Sequence, residues 1–151
     1  MTQPAFHLAQ VNIGRLRGPL DSPLLADFVS ALAPINALAD AAPGFVWRLQ
    51  GDAGNATEFR FFDDQSIIVN MSTWESLEAL SDYVYRSAHT EVMRRRKEWF
   101  ESMPLYLALW WVPSGHRPSI PEAEARVRSL EHHGPTPFAF TFRQPFPPTT
   151  R

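Results

Sequence analysis

The sequence has 151 residues, of which 44% are hydrophobic and 20% are charged, and this balance is typical of one globular domain rather than of a disordered chain. The formal net charge of −2 argues against a nucleic-acid partner. No apolar run reaches the ~20 residues that a membrane span requires, so no membrane association is expected. Cysteine is absent, which excludes disulfides and thiolate chemistry and favours a cytoplasmic location.

Alternating polarity in the first part of the chain predicts a strand from Phe6 to Ile13, with Asn12 near its end. The residues from Gly14 to Asp21 are predicted to form a loop. Ser22 followed by Pro23 is typical of a helix start, and apolar residues at three- and four-residue spacing then predict a helix that Pro43-Gly44 ends.

The middle of the chain predicts three strands and a helix. A strand over Phe45 to Gln50 is expected to form a hairpin with Thr57 to Phe62. Ile67 to Met71 is apolar and β-branched, which predicts a strand buried on both faces. The spacing of Ser72 and Glu75 matches a capping box and predicts that the next helix begins there.

The last third predicts two more helices and two more strands. The region from His89 to Glu101 is expected to be helical, and the apolar stretch from Leu105 to Val112 is expected to form a central strand. Ser119 and Glu122 repeat the capping-box pattern and start a helix. The alternation from Phe138 to Phe142 predicts a final edge strand.

The order β-α-β-β-α-β predicts an α+β fold, the ferredoxin-like split βαβ sandwich, with an extra C-terminal helix and strand. We expect one domain over residues 1–144 and a flexible, proline-rich tail over residues 145–151. Because the strands carry apolar side chains on both faces, one face of a lone sheet would be left in water. This pattern predicts a homodimer, in which a second copy covers that face.

The element order and the segment from Asn70 to Leu80, with Ala88-His89 further on, resemble the dimeric α/β-barrel superfamily, which includes antibiotic-biosynthesis-monooxygenase-like proteins. Nearly the whole chain also resembles DUF3291, a bacterial family of unknown function. Seven stretches carry that second resemblance: residues 7–10, 12–14, 43–49, 84–89, 94–96, 109–113 and 115–118.

The superfamily resemblance implies two catalytic candidates. Cofactor-independent monooxygenases and cyclases use a strand-one asparagine, which Asn12 matches, and a helix-borne tryptophan, where this chain has Ala79 and Leu80 instead. Haem-degrading relatives use the same asparagine and a histidine that follows alanine, which His89 matches. Asn12 is therefore expected to orient a substrate oxygen and His89 to move a proton, with no cofactor or metal; haem bound by His89 is the alternative.

Five further residues are candidates for binding a substrate. Trp47, Trp110 and Phe45 are candidates for the flat apolar walls of a pocket, and the alternative is that they belong to the core and the dimer interface. Arg95 belongs to the chain's basic run and is a candidate for an anionic substrate group. His116 lies in a loop beyond a strand end, which favours a rigid proline-framed turn and has a polar lid over the pocket as the alternative.

Three functions follow from these observations. The first is a monooxygenase- or cyclase-like enzyme that acts on a hydrophobic, aromatic or polyketide-like small molecule in a pocket between sheet and helices. The second is a non-catalytic module that binds such a molecule or haem. The third is a structural dimer with no ligand.

Overall fold

The computed structural model describes residues 5–51, 57, 59–86, 90, 94–102 and 107–148. Within these residues the chain forms strands, α-helices and one short 3-10 helix over Pro23–Leu25. The strands are β1 (Phe6–Leu16), β2 (Phe45–Arg48), β3 (Ile67–Trp74), β4 (Phe100–Glu101) and β5 (Leu107–Pro113). The α-helices are α1 (Ala26–Asp40), α2 (Leu77–Arg86), α3 (Arg96–Trp99) and α4 (Ile120–His133).

The strands form one antiparallel sheet in the order β2-β3-β1-β5, and the short β4 extends the β5 side by pairing with the end of β1. Helix α1 connects β1 to β2, and α2 follows β3. This is the order of a split βαβ unit, in which the two crossover helices lie on one face of the sheet. The predicted ferredoxin-like α+β fold is confirmed.

The second face of the sheet is covered by the chain itself. Odd-numbered residues of β1, such as Ala9 and Val11, point to this face and are fully buried. They pack in one cluster with Phe61 and with Val127 and Leu130 of α4. The predicted homodimer was argued from an uncovered face, and that argument is wrong because α4 covers it; the oligomeric state itself stays a prediction.

Two predicted element boundaries in the middle of the chain are wrong. Strand β3 continues to Trp74, and α2 begins at Leu77. The capping side chain is Ser76, whose Oγ accepts a hydrogen bond from the backbone N–H of Ala79 at 3.1 Å, so Ser72 is a strand residue. The strand takes these residues because they extend the ladder with β1, where Leu8 lies opposite Trp74.

The predicted hairpin of Phe45–Gln50 with residues 57–62 is also wrong. Strand β2 pairs with β3, and in the segment 57–62 the described residues make only an isolated bridge from Phe61 to Asp64. Strand β3 is not buried on both faces, since Asn70 is exposed. Strand β1 likewise continues through Gly14 to Leu16, where a loop was predicted.

The C-terminal elements are confirmed in part. The Ser119 cap of α4 is present, with its Oγ accepting from the backbone N–H of Glu122 at 3.2 Å. Strand β5 exists, but it is an outer strand rather than a central one, and its free edge is bridged at Leu109 by Phe140. That bridge replaces the regular strand predicted for residues 138–142.

Part of the predicted tail is attached to the domain. Phe146 packs against the apolar cluster that contains Leu109 and Phe140, and its carbonyl oxygen accepts a hydrogen bond from Trp111 Nε1 at 2.7 Å. Among the described residues, no helix combines the length and the hydropathy needed to cross a bilayer.

Candidate functional site

A cavity of about 450 Å3 lies between the sheet and the crossover helices. Its volume falls within the roughly 300–1,000 Å3 typical of small-molecule sites. The sheet, α1, α2 and the C-terminal segment all contribute to its walls. The described residues that line it are Gln10, Asn12, Ile35, Asn36, Ala39, Arg48, Asn70, Ser72, Trp74, Leu80, Tyr83, Val84, Tyr85, Thr90, Arg94, Leu107 and Phe142.

The register of β1 against β3 gives the cavity a polar floor. Gln10 lies directly opposite Ser72, and Asn12 lies directly opposite Asn70. Side chains alternate between the two faces of a strand, so these four even-numbered residues share the face that the cavity occupies. A floor of amides and a hydroxyl is unusual for the middle of a sheet, where apolar residues normally cover the strands.

These floor residues are joined by hydrogen bonds. Gln10 Nε2 donates to Asn70 Oδ1 and to Ser72 Oγ, each at 2.8 Å. The indole Nε1–H of Trp74 donates to the same Ser72 Oγ, also at 2.8 Å. Because Gln10 and Ser72 are buried, this network holds both side chains in place and prearranges the floor.

Asn12 lies beside this network but is not part of it. It is half-buried, lines the cavity, and within the described residues its side chain makes no hydrogen bond. An amide offers both a donor and an acceptor, so Asn12 presents both to whatever occupies the cavity.

An aromatic pair forms one wall. The rings of Trp74 and Tyr83 are stacked, with centroids 5.1 Å apart and an interplanar angle of 28°. Tyr83 Oη donates to the carbonyl oxygen of Ile35 at 3.2 Å, which links α2 to α1. Burial, reinforced by the nearby carboxylate of Asp40, raises the pKa of the Tyr83 phenol to about 12. The phenol is therefore neutral at physiological pH.

Two arginines lie at the cavity. Arg48 makes a two-point ion pair with Asp40, Nε to Oδ1 at 2.7 Å and Nη2 to Oδ2 at 3.2 Å. Arg94 is exposed, and within the described part of the chain it makes no ion pair. No acidic residue is among the described residues that line the cavity.

The sequence matches the family described as "Domain of unknown function (DUF3291)" over residues 7–151. The chain belongs to DUF3291. The resemblance expected from the sequence is confirmed by this match. Among curated proteins, no sequence matches the chain.

Solved structures resemble this DUF3291 protein at low sequence identity. SnoaB, a cofactor-independent oxygenase from Streptomyces nogalater, has a TM-score of 0.50 at 18% identity, over 75% of this chain and 97% of its own. A protein of unknown function from Nitrosomonas europaea, NE2512, has a TM-score of 0.46 at 14% identity, over 76% and 95% of the two chains. A putative antibiotic biosynthesis monooxygenase from Chloroflexus aurantiacus J-10-fl has a TM-score of 0.45 at 11% identity, over 76% and 98%. The likeness to SnoaB shows that this chain shares its fold.

The structure places Asn12 in the cavity, and none of the other candidates among the described residues lines it. His89 lies outside the described residues, so its predicted role stays a prediction. Phe45 contacts the outer side of the aromatic wall, with its ring edge-on to Trp74 at 5.4 Å between centroids, and does not line the cavity.

Trp47 and Trp110 lie on the opposite face of the sheet, in the cluster beneath α4. Trp47 is paired with Thr73 after an irregularity in β2, which turns its side chain away from the cavity. Trp110 Nε1 donates to Glu122 Oε2 at 3.0 Å, and His116 Nε2 contacts Glu122 Oε1 at 2.7 Å. A cavity shared by Asn12, Trp110 and His116 is therefore not supported.

Glu122 holds this second group together. Burial alone would raise its pKa, but the hydrogen bonds from His116 and Trp110 outweigh it and hold the pKa of Glu122 below its usual value. The carboxylate stays ionised at neutral pH and joins the loop that carries His116 to the indole of Trp110. His116 thus serves the packing of α4 rather than a lid over the cavity.

Arg95 is occupied by ion pairs at the surface. Its guanidinium contacts Glu98 at 2.9 Å and Asp27 at 2.8 Å, and it lies 4.9 Å from the centroid of the Trp99 ring. The hydrogen bonds that the guanidinium donates to these two carboxylates raise the pKa of Arg95 above its usual value. Its neighbour Arg94 is the member of the basic run that lines the cavity.

Sequence reasoning missed most of the cavity floor and wall. Gln10, Asn70 and Ser72 alternate with apolar residues on their strands, and a correct end for β3 would have aligned them with Asn12. The helix start predicted from Ser72 and Glu75 includes Trp74, whereas in the structure Trp74 ends β3 and lines the cavity. Among the described residues, no group of three metal-ligating side chains comes together.

The departure from the monooxygenase pattern at Ala79 and Leu80 has a structural reason. Gly44 lies so close to α2 that a Cβ added to it would be 2.5 Å from the Cβ of Ala79. A tryptophan at position 79 would separate β2 from α2. Leu80 is buried at the cavity, and the aromatic surface comes from Trp74 and Tyr83 instead.

Proposed function

We propose that this DUF3291 protein binds a planar, enolisable small molecule in the cavity above Asn12 and oxidises it with dioxygen, as a cofactor-independent oxygenase does. The observation that carries the proposal is the amide of Asn12, which makes no side-chain hydrogen bond within the described residues and lines a cavity of about 450 Å3 beside a floor of fixed polar groups. A preformed cavity with a few convergent polar groups is the usual form of a small-molecule site.

The walls favour a planar ligand. Leu80, Val84 and Leu107 are apolar, and the ring of Tyr83, which is stacked on the buried Trp74 and is itself only partly buried, adds a flat aromatic side chain to the wall. A ring system packed against such a surface buries apolar area and gains a stacking contribution of about 0.5–1.5 kcal/mol. The polar floor then fixes the position of the ligand's oxygen atoms.

Asn12 supplies the chemistry that stabilises an enolate. Its amide N–H donates to the carbonyl oxygen of the bound ketone. When a carbon conjugated with this carbonyl loses a proton, negative charge moves onto the oxygen, and the hydrogen bond becomes stronger than it was in the ground state. We assign the proton removal to His89, as the sequence predicts.

The enolate reduces dioxygen directly, so no external reductant is consumed. A methylene conjugated with the carbonyl through the ring system gives up two hydrogens, one oxygen atom becomes a new carbonyl on that carbon, and the other leaves as water. Substrate plus dioxygen thus gives a quinone-type product and water. The fold shared with SnoaB, itself described as a cofactor-independent oxygenase, supports this chemistry.

Anthrone, a planar ketone with an activated methylene, tests the proposal. We expect the wild-type protein to consume dioxygen and form anthraquinone faster than the protein-free solution, with one atom of 18O2 in the product. Asn12→Ala should lower kcat/KM about 100-fold, the usual cost of removing one donor to a developing oxyanion. Gln65→Ala, which removes an exposed amide in the turn before β3, is the matched control and should leave the rate unchanged.

The possible outcomes separate the parts of the proposal. If wild-type protein binds anthrone but consumes no more dioxygen than the blank, the oxygenase chemistry is wrong and the cavity is a binding site. If Asn12→Ala keeps the wild-type rate, Asn12 does not carry the reaction. A Soret band that disappears in His89→Ala would instead support the haem-binding alternative.

A further inference from the structure

The charges around the cavity have one sign in the described residues. Its lining includes Arg48 and Arg94 and no carboxylate. Asp40 neutralises Arg48 through two contacts, so the field of that arginine at the cavity is largely cancelled. Arg94 makes no ion pair within the described residues, and its positive charge is left to act on an occupant.

The hydrogen bonds within the floor use the acceptor oxygens of Ser72 and Asn70 and leave the protons of both side chains unused. Ser72 Oγ accepts from both Gln10 Nε2 and Trp74 Nε1. Two N–H donors occupy its lone pairs, so the Ser72 hydroxyl has only its own proton left to offer. No acceptor for that proton lies within the described residues, and Ser72 lines the cavity.

The side-chain oxygen of Asn70 is likewise occupied by a hydrogen bond within the floor. Its Oδ1 accepts from Gln10 Nε2, which leaves the two N–H bonds of Nδ2 for a ligand. Asn70 and Ser72 therefore add donors to the floor, beside the amide oxygens of Gln10 and Asn12, which can accept. The donors can bind the oxygens of a ligand, and they bind charged oxygens best, because hydrogen bonds to an anionic acceptor are about twice as strong as neutral ones.

We propose that the cavity selects an acidic planar molecule, one that carries a carboxylate, an enolate or an ionised phenol, and that Arg94 is the residue that sets this preference. The proposal rests on the proposed function in one respect, that the cavity binds a planar small molecule. It adds the charge of that molecule and the arginine that recognises it. The floor donors of Ser72 and Asn70 receive the oxygens, and Arg94 supplies the opposite charge at the exposed side.

A pair of naphthoquinones with the same ring system tests the proposal. 2-Hydroxy-1,4-naphthoquinone is an anion at neutral pH, and its 2-methoxy ether is neutral. Calorimetric titration of the wild-type protein at low salt should show tighter binding of the anion. Arg94→Gln should weaken anion binding about two- to fivefold, the range expected for an exposed ion pair, and should leave binding of the ether unchanged.

Lys97→Gln is the matched control, since it removes the same charge from an exposed side chain that is not part of the cavity. It should leave both affinities as they are in the wild type. Raising the salt concentration to 1 M should reduce the preference of the wild type for the anion, because the Debye length falls to about 3 Å.

The results distinguish this inference from the proposed function. Equal binding of the two quinones, or a preference that survives Arg94→Gln, overturns the assignment of charge to Arg94 and leaves the cavity as a binding site. An equal loss in Lys97→Gln shows a general charge effect and also overturns it. If the wild type binds neither quinone, the inference and the planar-ligand site of the proposed function both fail.

Discussion

The two faces of the sheet differ in chemistry although the same strands build both. On the face beneath α4, residues such as Val11, Met71 and Trp110 are fully buried in an apolar cluster. On the face beneath α1 and α2, the alternate residues of the same strands include Gln10 and Ser72, and they line a cavity. One face is therefore a closed apolar core, whereas the other combines an apolar cluster around Leu8 and Leu109 with a cavity.

The hydrogen bonding of buried polar groups also differs between the two faces. Beneath α4, the indole N–H of Trp110 is satisfied by Glu122, which also holds His116. Beneath α1 and α2, the network of Gln10 and Ser72 is internally bonded but leaves donors directed at the cavity. The comparison shows that a period of two along a strand is enough to separate a packing surface from a site.

The largest expected effect is on the packed face. Trp110→Ala should lower the free energy of unfolding by about 3–5 kcal/mol, since it removes a fully buried ring and leaves a cavity. Urea denaturation measures the change. The adjacent Trp111→Ala is the control: Trp111 points to the other face and is only half-buried, so its loss should be clearly smaller. Equal losses would contradict the distinction between the faces.

The next effect concerns the polar floor. Gln10→Leu keeps the approximate size of the side chain but removes the hydrogen bonds that Gln10 Nε2 donates to Asn70 and to Ser72. We expect a loss of about 1–3 kcal/mol in the free energy of unfolding, together with weaker binding of the naphthoquinone anion. Gln50→Leu, at an exposed position, should stay within about 0.5 kcal/mol of the wild type. A more stable Gln10→Leu protein would show that the network is not structurally required.

The aromatic wall gives a pH-dependent prediction. The Tyr83 phenol has a pKa of about 12 in the folded protein against an ordinary value of 10.0. The folded state holds that proton more tightly than the unfolded state. Its contribution to stability is therefore complete below pH 10 and is lost as the pH rises from about 10 to about 12. The melting temperature of the wild type should fall more steeply over this interval than that of Tyr83→Phe.

Tyr85→Phe is the control for that comparison, since Tyr85 is 61% exposed. It should follow the wild-type pH profile. A Tyr83→Phe protein with the same alkaline slope as the wild type would rule out the raised pKa of Tyr83 as the cause.

The smallest expected change in stability is that of Asn12→Ala. Asn12 is half-buried and makes no side-chain hydrogen bond within the described residues, so its loss should change the free energy of unfolding by no more than about 0.5 kcal/mol. Denaturation of the same sample used for the anthrone assay measures this. A loss above about 1 kcal/mol would mean that Asn12 has a structural role, and the activity of the variant would then say little about catalysis.

Local patterns predicted several elements well. The alternation from Phe6 to Ile13 located the first strand, and the Ser119 cap located α4. They placed Asn12 correctly because the face of a strand residue follows from its position alone. Local patterns failed at Ser72, where the capping-box spacing predicts a helix start but the residue belongs to β3. The strand is favoured because the ladder between β1 and β3 adds backbone hydrogen bonds, which no local pattern reveals.

By itself, the sequence determined the ferredoxin-like order of elements, the family and the face on which Asn12 lies, because these depend on periodicity and on motifs contiguous in the chain. Tertiary structure alone decided that α4 covers the second face of the sheet and that Trp110 packs beneath it. It also decided that Gln10, Ser72 and Arg94 meet at one cavity. The physical reason is that register and helix docking join residues far apart in sequence, and these contacts depend on packing energies that no single segment contains.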